Sequence, residues 1–212
     1  MNLDFVTPGY YYWFLPVVMI LYFALLKGRR DQRVILLVAM SYLFFWLASG
    51  WHFILLAIST CTDWVAGRRI SESEDASTRK KWLIGSLTIN LGLLATFKYL
   101  DFLIETLNLV TFRLPSSPEI GSAGLLLPVG ISFYTFQTMS YTIDIYRGKS
   151  NPYERFQDFA CYASFFPQLV AGPIERGSQL LPQISQGFVV AVGNLPRALH
   201  LVLIGVFKKL VI

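Results

Sequence analysis

The stretch VILLVAMSYLFFWLASGWHFILLAISTCTDWVAGRR, Val34 to Arg69, carries a single acidic side chain and no Lys or Arg before its last two residues. A helix needs about 20 mostly apolar residues to cross a hydrocarbon core of ~30 Å. This stretch supplies two such runs, 34–49 and 51–66, parted only by Gly50 and its neighbours, so a tight helical hairpin is expected. Working outward, comparable runs lie near 10–26, 82–103 and 125–146. The composition agrees: of 212 residues, 54% are hydrophobic and 15% charged, with a mean hydropathy of +0.51, where a soluble domain carries about 25% charged residues. The expected fold class is all-α, a polytopic transmembrane helix bundle with residues 1–212 as a single membrane domain. Coiled coils, disordered tails, secreted disulfide frameworks and nucleic-acid modules are set aside by the same pattern.

The net charge of +5 reads as topology, because the basic residues sit between apolar runs. Lys27, Arg29, Arg30 and Arg33 follow the first run; Arg68, Arg69, Arg79, Lys80 and Lys81 follow the third; Arg147, Lys149 and Arg155 follow the fifth. The opposite side holds only Lys98 and Arg113. Cytoplasmic loops are enriched in Lys and Arg, which places the N-terminus outside and makes Leu107 to Gly124 an external loop. The first run is no signal peptide, since its basic cluster follows the apolar stretch instead of preceding it.

Between Phe156 and Phe166 the apolar stretch rises roughly 16 Å, about half a bilayer, before Pro167. Pro167, Gly172 and Pro173 interrupt the backbone there, and broken backbone at membrane depth is tolerated only inside protein or against a water-filled cavity. Residues 156–184 therefore read as a re-entrant or interfacial element. A final helix over 196–212 starts well, with Asn194 and Pro196 near its first turn, and meets no cap after Lys208 and Lys209. Two readings stand: an N-terminal portion of something longer, or a natural C-terminal helix with a frayed end. Cys61 and Cys161 lie in apolar segments without metal-ligand spacing and read as packing residues.

The span after Pro128 carries a polar stripe. Gly130, Tyr134, Gln137, Tyr141 and Asp144 recur at helical spacing on one face, and lipid cannot cover such a face. Asp144 has a plain alternative, a pair with Arg147 at the membrane edge, but that does not explain Gln137. Asp63, on a face with Ser59 and Thr60, is expected to cap or pair with Arg68. Lys98 and Asp101 are expected to form an interfacial ion pair. His52 sits beside Trp51 in the hairpin turn, where an interfacial aromatic belt is expected, and His200 lacks a carboxylate or hydroxyl at helical spacing, so neither supports acid–base chemistry. There is no GxSxG, phosphate-cradling glycine loop or HExxH.

LPVGISFYTFQTMSYTIDIYRG (Leu127 to Gly148) and FFPQLVAGPIERGSQLLPQI (Phe165 to Ile184) resemble signature segments of the membrane-bound O-acyltransferase family. They are most similar to its bacterial branch, the membrane subunit of alginate O-acetylation. The Gly172–Pro173 pair, FKK at Phe207 to Lys209, and weaker matches at Thr62 to Ile70 and Asn90 to Phe102 extend the resemblance over nearly the whole chain. It implies a multi-helix protein of the bacterial inner membrane that passes an acyl group, usually acetyl, from a cytoplasmic donor toward a hydroxyl of a polysaccharide. It also implies extracytoplasmic acetyltransferase partners. The resemblance puts the family's signature histidine beyond Ile212, so no catalytic residue is assigned within this chain. No bound cofactor, metal or nucleic acid is expected; acetyl-CoA would act as a substrate.

Gln137, Tyr141, Gln168, Glu175 and Arg176 are the candidate substrate-tunnel residues, with Arg176 attracting donor phosphates. Equally, Glu175 and Arg176 would pair and cap the re-entrant turn. Teichoic acid and peptidoglycan are alternative acceptors. A transporter should show inverted repeats, and none is seen; a non-catalytic membrane scaffold is the remaining class.

Overall fold

The computed structural model describes residues 9–25, 29–111, 121–125, 127–169, 172, 180 and 192–211, and every regular element among them is helical. Residues 10–25 form α1, whose first and last turns, Tyr10–Phe14 and Leu21–Leu25, widen to π-helical geometry. Pro16 has no N–H to give the ladder, and the first widened turn falls beside it. Tyr10, Phe14, Val18 and Tyr22 recur every four residues and form the buried face of α1. They pack on Val34, Leu37 and Phe44 of α2 (Arg30–Ser49).

A 3-10 turn, Gly50–His52, joins α2 to α3 (Phe53–Glu72). Gly50 takes φ +61°, a region open to glycine and strained for other residues. The chain reverses there: Tyr42 reaches Thr60, and its ring stands 6.4 Å from that of Phe53. The hairpin forms, but it is wider than expected. Tyr42, Phe45, Phe53 and Leu56 share one cluster at the joint, while the main neighbours of α2 are α7 (Phe156–Ser164) and α8 (Phe166–Leu169). Those of α3 are α4 (Ala76–Leu94) and α6 (Ile131–Tyr146).

Helix α4 continues through a π-helical turn, Ala95–Tyr99, into α5 (Leu100–Thr111). This exceeds the expected span of 82–103 and takes 107–111 out of the expected external loop. Helix α6 starts later than 125, because Pro128 and the left-handed Gly130 (φ +73°) hold the chain in a turn. A Cβ on Gly130 would lie 3.3 Å from the Leu169 carbonyl, so the start of α6 sits directly on the end of α8. The element expected over 156–184 is helical in its first part and breaks at Phe165; Ser41 Oγ accepts from the freed Phe166 N–H at 3.2 Å. Beyond Leu169, only Gly172 and Leu180 of that element lie within the described residues. The last helix, α9 (Leu195–Val211), starts one residue earlier than expected, and its Leu195, Leu199, Leu201 and Leu203 are exposed.

Among the described residues, two helical runs, 30–72 and 76–109, are long and apolar enough to cross a membrane. Their most apolar windows are only 28% and 11% buried among the described residues, whereas the core helix of a water-soluble fold is mostly buried. Outward-facing Ile35, Leu43, Trp46, Ile54, Ile84, Ile89 and Phe102 form a surface matched to hydrocarbon.

The three basic groups of the sequence meet at one end of the helices. Arg30 pairs with Asp158 at 3.2 Å, Arg155 with Asp31 at 2.7 Å, and Arg79 donates to the Tyr146 carbonyl at 3.0 Å. The other end is tied by Val129 N–H to Ser49 Oγ at 3.0 Å and by Lys98 to Ser132 at 3.1 Å. Lys98 and Asp101 do not pair with each other: Asp101 accepts instead from Ser122 Oγ and the Ala123 N–H. Asp144 likewise makes no ion pair with Arg147 among the described residues.

Two predictions follow from this packing. A Cβ at Gly67 would sit 2.9 Å from both Tyr141 and Ile145, while one at Gly85 meets nothing within 4 Å. Gly67→Val is expected to cost about 1–3 kcal/mol by overpacking, and Gly85→Ala to be neutral or stabilising by up to about 1 kcal/mol; thermal unfolding in detergent reads both. Asp75 caps α4, accepting from Thr78 Oγ1 and from the N–H groups of Thr78 and Ser77, and these bonds hold its carboxyl below the usual range. Its contribution to stability is therefore fully present above the ordinary carboxylate pKa and fades as pH falls through the depressed value. Asp75→Asn should flatten that part of the acid limb of the stability profile.

Candidate functional site

Each of three helices offers a pair of small polar residues four apart: Ser59 and Asp63 on α3, Ser86 and Asn90 on α4, Thr138 and Thr142 on α6. Residues i and i+4 lie on one helix face, and the three faces meet. Asp63, wholly buried, accepts hydrogen bonds from Ser86 Oγ, from Asn90 Nδ2 at 2.9 Å and from Thr142 Oγ1 at 3.0 Å. Asn90 Oδ1 accepts from Ser59 Oγ, which lies 3.1 Å from Thr138 Oγ1. A continuous chain of bonds thus runs from α6 through α3 to α4 and back to α6.

The expectation that Asp63 caps or pairs with Arg68 is corrected here. Arg68 pairs with Glu72 at 3.3 Å on the exposed end of α3, whereas Asp63 is turned to the interior. The signal for this lies in the sequence as three i, i+4 polar pairs within apolar runs, visible only when all three are considered together. With its donors supplied, the cluster acts as a clasp between helices.

Helix α6 presents a second polar face to α7. The stripe turns inward, as its polarity requires: Tyr134, Gln137 and Tyr141 are all buried. Gln137 Nε2 donates to the Tyr162 carbonyl at 2.8 Å, and Tyr162 Oη donates to the Gln137 carbonyl at 3.3 Å. Gln137 Oε1 and Tyr134 Oη are buried without a hydrogen-bond partner among the described residues. Such atoms call for a water or a ligand group. Tyr141 Oη accepts from the Tyr153 N–H at 3.1 Å, and its ring lies nearly parallel to that of Tyr153 with centroids 5.3 Å apart. Gly67 leaves the room that Tyr141 occupies.

Gln168 sits in α8, nearly buried, with its carbonyl accepting from the Gly172 N–H at 2.7 Å. A Cβ on Gly172 would come within 2.8 Å of the Gln168 side chain, so glycine is needed for this close return. Of the five candidate tunnel residues, Gln137 and Tyr141 share one face toward α7 and Gln168 lies on the following helix. Glu175 and Arg176 lie outside the described residues.

The histidines offer no reaction centre. His52 places Nδ1 2.7 Å from the Ser49 carbonyl and stacks on Trp51 at 4.2 Å, which ties down the hairpin turn; His200 is exposed on α9. Cys61 and Cys161 are both free, with Cys161 packed in the α1–α2 core. No group of three or more His, Cys, Asp or Glu among the described residues is placed to hold a metal.

Removing Asp63 should expose what the clasp is worth. Asp63→Leu leaves the Ser86, Asn90 and Thr142 donors without their acceptor in a site closed to water, with an expected loss of about 3 kcal/mol or more. Ser86→Ala, which deletes one bond, should cost about 1 kcal/mol. Thermal unfolding of the two variants in one detergent provides the check; equal stability of Asp63→Leu and wild type would show that the helices are held by other contacts.

Compared with known proteins, the chain is 33% identical to a probable alginate O-acetylase of Pseudomonas aeruginosa over 182 residues, covering 85% of this chain and 34% of that protein. It is 32% identical to a probable alginate O-acetylase of Pseudomonas putida over the same share of the chain and 37% of the relative. A peptidoglycan O-acetyltransferase of Helicobacter pylori is 29% identical, over 98% of this chain and 44% of its own length. The chain thus spans about a third of the length of the alginate relatives that it matches. No family model and no solved structure matches it.

Proposed function

Because this chain belongs to a membrane-bound O-acyltransferase-like family by its relatives, we propose that it forms part of a membrane O-acetyltransferase that esterifies hydroxyls of an extracytoplasmic polysaccharide. The observation that carries this reading is the 33% identity to an alginate O-acetylase across 85% of the chain. The alginate-type acceptor is preferred to peptidoglycan because the Pseudomonas aeruginosa and Pseudomonas putida alginate relatives are 33% and 32% identical, against 29% for the peptidoglycan enzyme.

The reaction exchanges one acyl bond for another. The acceptor hydroxyl oxygen attacks the acetyl carbonyl of a thioester donor such as acetyl-CoA, the hydroxyl proton passes to a base, and the thiolate leaves and is protonated. Such chemistry needs a dry cavity, a base and donors around the developing oxyanion. In this reading the base is a histidine outside these residues. The chain supplies the donor-side wall, with Gln137, Tyr141 and Gln168 lining the path and the Arg176 charge attracting the donor phosphates. The unpartnered Gln137 Oε1, buried beside α7, supports the placement of a polar ligand group or water at that position.

The arrangement in the membrane follows from charge. The end that gathers Arg30, Arg79 and Arg155 is taken to face the cytoplasm. The N-terminus then lies outside, the helices form a polytopic bundle of the bacterial inner membrane, and 156–184 forms a re-entrant element open to the donor. Extracytoplasmic acetyltransferase proteins would work with it as partners on the polysaccharide side.

The test uses the full-length protein in membranes with isotopically labelled acetyl donor and either alginate or peptidoglycan as acceptor. Gln137→Leu is expected to lower acetyl transfer about 10-fold or more, as expected for one lost positioning contact, with folded protein retained. Arg176→Ala should act the same way, chiefly through the donor KM. Wild-type rates in both variants would remove the proposed path, and label appearing in peptidoglycan alone would reassign the acceptor.

A further inference from the structure

On the outward side of α3 and α4 runs a groove of about 380 Å³, lined by Cys61, Thr62, Val65, Trp82, Gly85 and Ile89. Its walls are apolar, and the one buried hydroxyl at its floor, Ser86, is already committed to Asp63. Gly85 leaves its middle open, since nothing lies within 4 Å of where a Cβ would stand. At the basic end the groove does not close. Val65 is shared with a second hollow of about 260 Å³ lined by Trp64, Arg68, Arg69 and Glu72.

Charge and length both restrict the occupant. Among the described residues Arg68 and Arg69 share one carboxylate, Glu72, at 3.3 and 3.9 Å, which leaves one positive charge in surplus. Arg69 is the more exposed and the more loosely held. Arg68 lies 5.2 Å over the Trp64 ring, which keeps its guanidinium beside the mouth of the groove. Lys80 and Lys81 open α4 at the same end. From Cys61 to Glu72 the helix rises roughly 16 Å, close to half of a ~30 Å hydrocarbon core. The apolar trough together with its basic mouth thus reaches about one leaflet in depth, and an apolar trough ending in surplus positive charge complements a molecule with an acyl tail and an anionic head.

We propose that the α3–α4 groove seats an acyl chain of one anionic phospholipid, whose phosphate rests against Arg68 and Arg69. Basic pockets beside membrane helices bind anionic headgroups in this way. The site stands apart from the acetyl path on the other side of α6, and it rests on the membrane placement alone, so it can fail while the acetyltransferase reading survives.

The experiment takes the full-length protein in nanodiscs of equal phosphatidylglycerol and phosphatidylcholine and counts, by native mass spectrometry, the lipid that stays bound on release. Wild type is expected to retain phosphatidylglycerol about fivefold over phosphatidylcholine for each arginine engaged. Arg68→Gln with Arg69→Gln should erase that preference while neutral lipid is still retained. A Cβ at Gly85 has open space around it, so Gly85→Phe can project its ring into the trough and should remove both lipids at this site, with acetyl transfer unchanged. Equal retention of the two lipids by wild type, or unchanged phosphatidylglycerol retention in both variants, overturns the proposal. So does a groove already covered by another segment of the protein, which would show as protection of Cys61 from a lipid-soluble thiol probe that persists after the bound lipid has been stripped away.

Discussion

Asp63 is the constraint around which the helices are arranged. A carboxylate on a helix with an apolar outer surface must find donors inside the protein, because hydrocarbon offers none. Ser86 and Asn90 bring α4 to it, and Thr142 brings α6. Once those three helices are fixed around one acceptor, the register of α6 is set, and its opposite face is aimed at α7.

That register connects the clasp to the candidate path. Thr138 and Thr142 point to α3 and α4, while Gln137 and Tyr141, one residue away from each, point to α7. Helix α6 therefore carries polar duty on two faces along its middle turns and leaves the side of Phe136 exposed. Two glycines make the close approaches: Gly67 admits the Tyr141 ring between α3 and α6, and Gly130 lets the start of α6 rest on the end of α8. Gln137 is consequently held by a structural contact at one amide atom and left open at the other, which suits a residue that orients a ligand.

Much of this was legible in the residues. Apolar run lengths gave the helices from α1 to α6 with displaced ends, because Pro128 and Gly130 delay α6, and the helix from Ala76 simply continues past Leu103 to Thr111. The polarity of the stripe on α6 already required it to face inward. The local reading went astray with charged residues. Asp63 and Arg68 are near in sequence and looked like partners, as did Lys98 with Asp101 and Asp144 with Arg147. In each case sequence proximity offered a partner that the fold did not use. Lys98 and Asp101 turn to the segment around 122–132, and Asp63 turns to helices 23 to 79 residues away.

The sequence by itself determined that the chain is helical, that its surfaces suit hydrocarbon, and that its basic residues alternate between successive runs. These are properties of local composition and period, summed along one strand of chain. Only the tertiary structure decided which polar residues are partners, since a hydrogen bond across helices depends on rotation about each helix axis. A change of one residue in register turns a side chain by about 100°. No local pattern fixes that angle; it is set when Ser59, Asp63, Ser86, Asn90, Thr138 and Thr142 must all be satisfied at once.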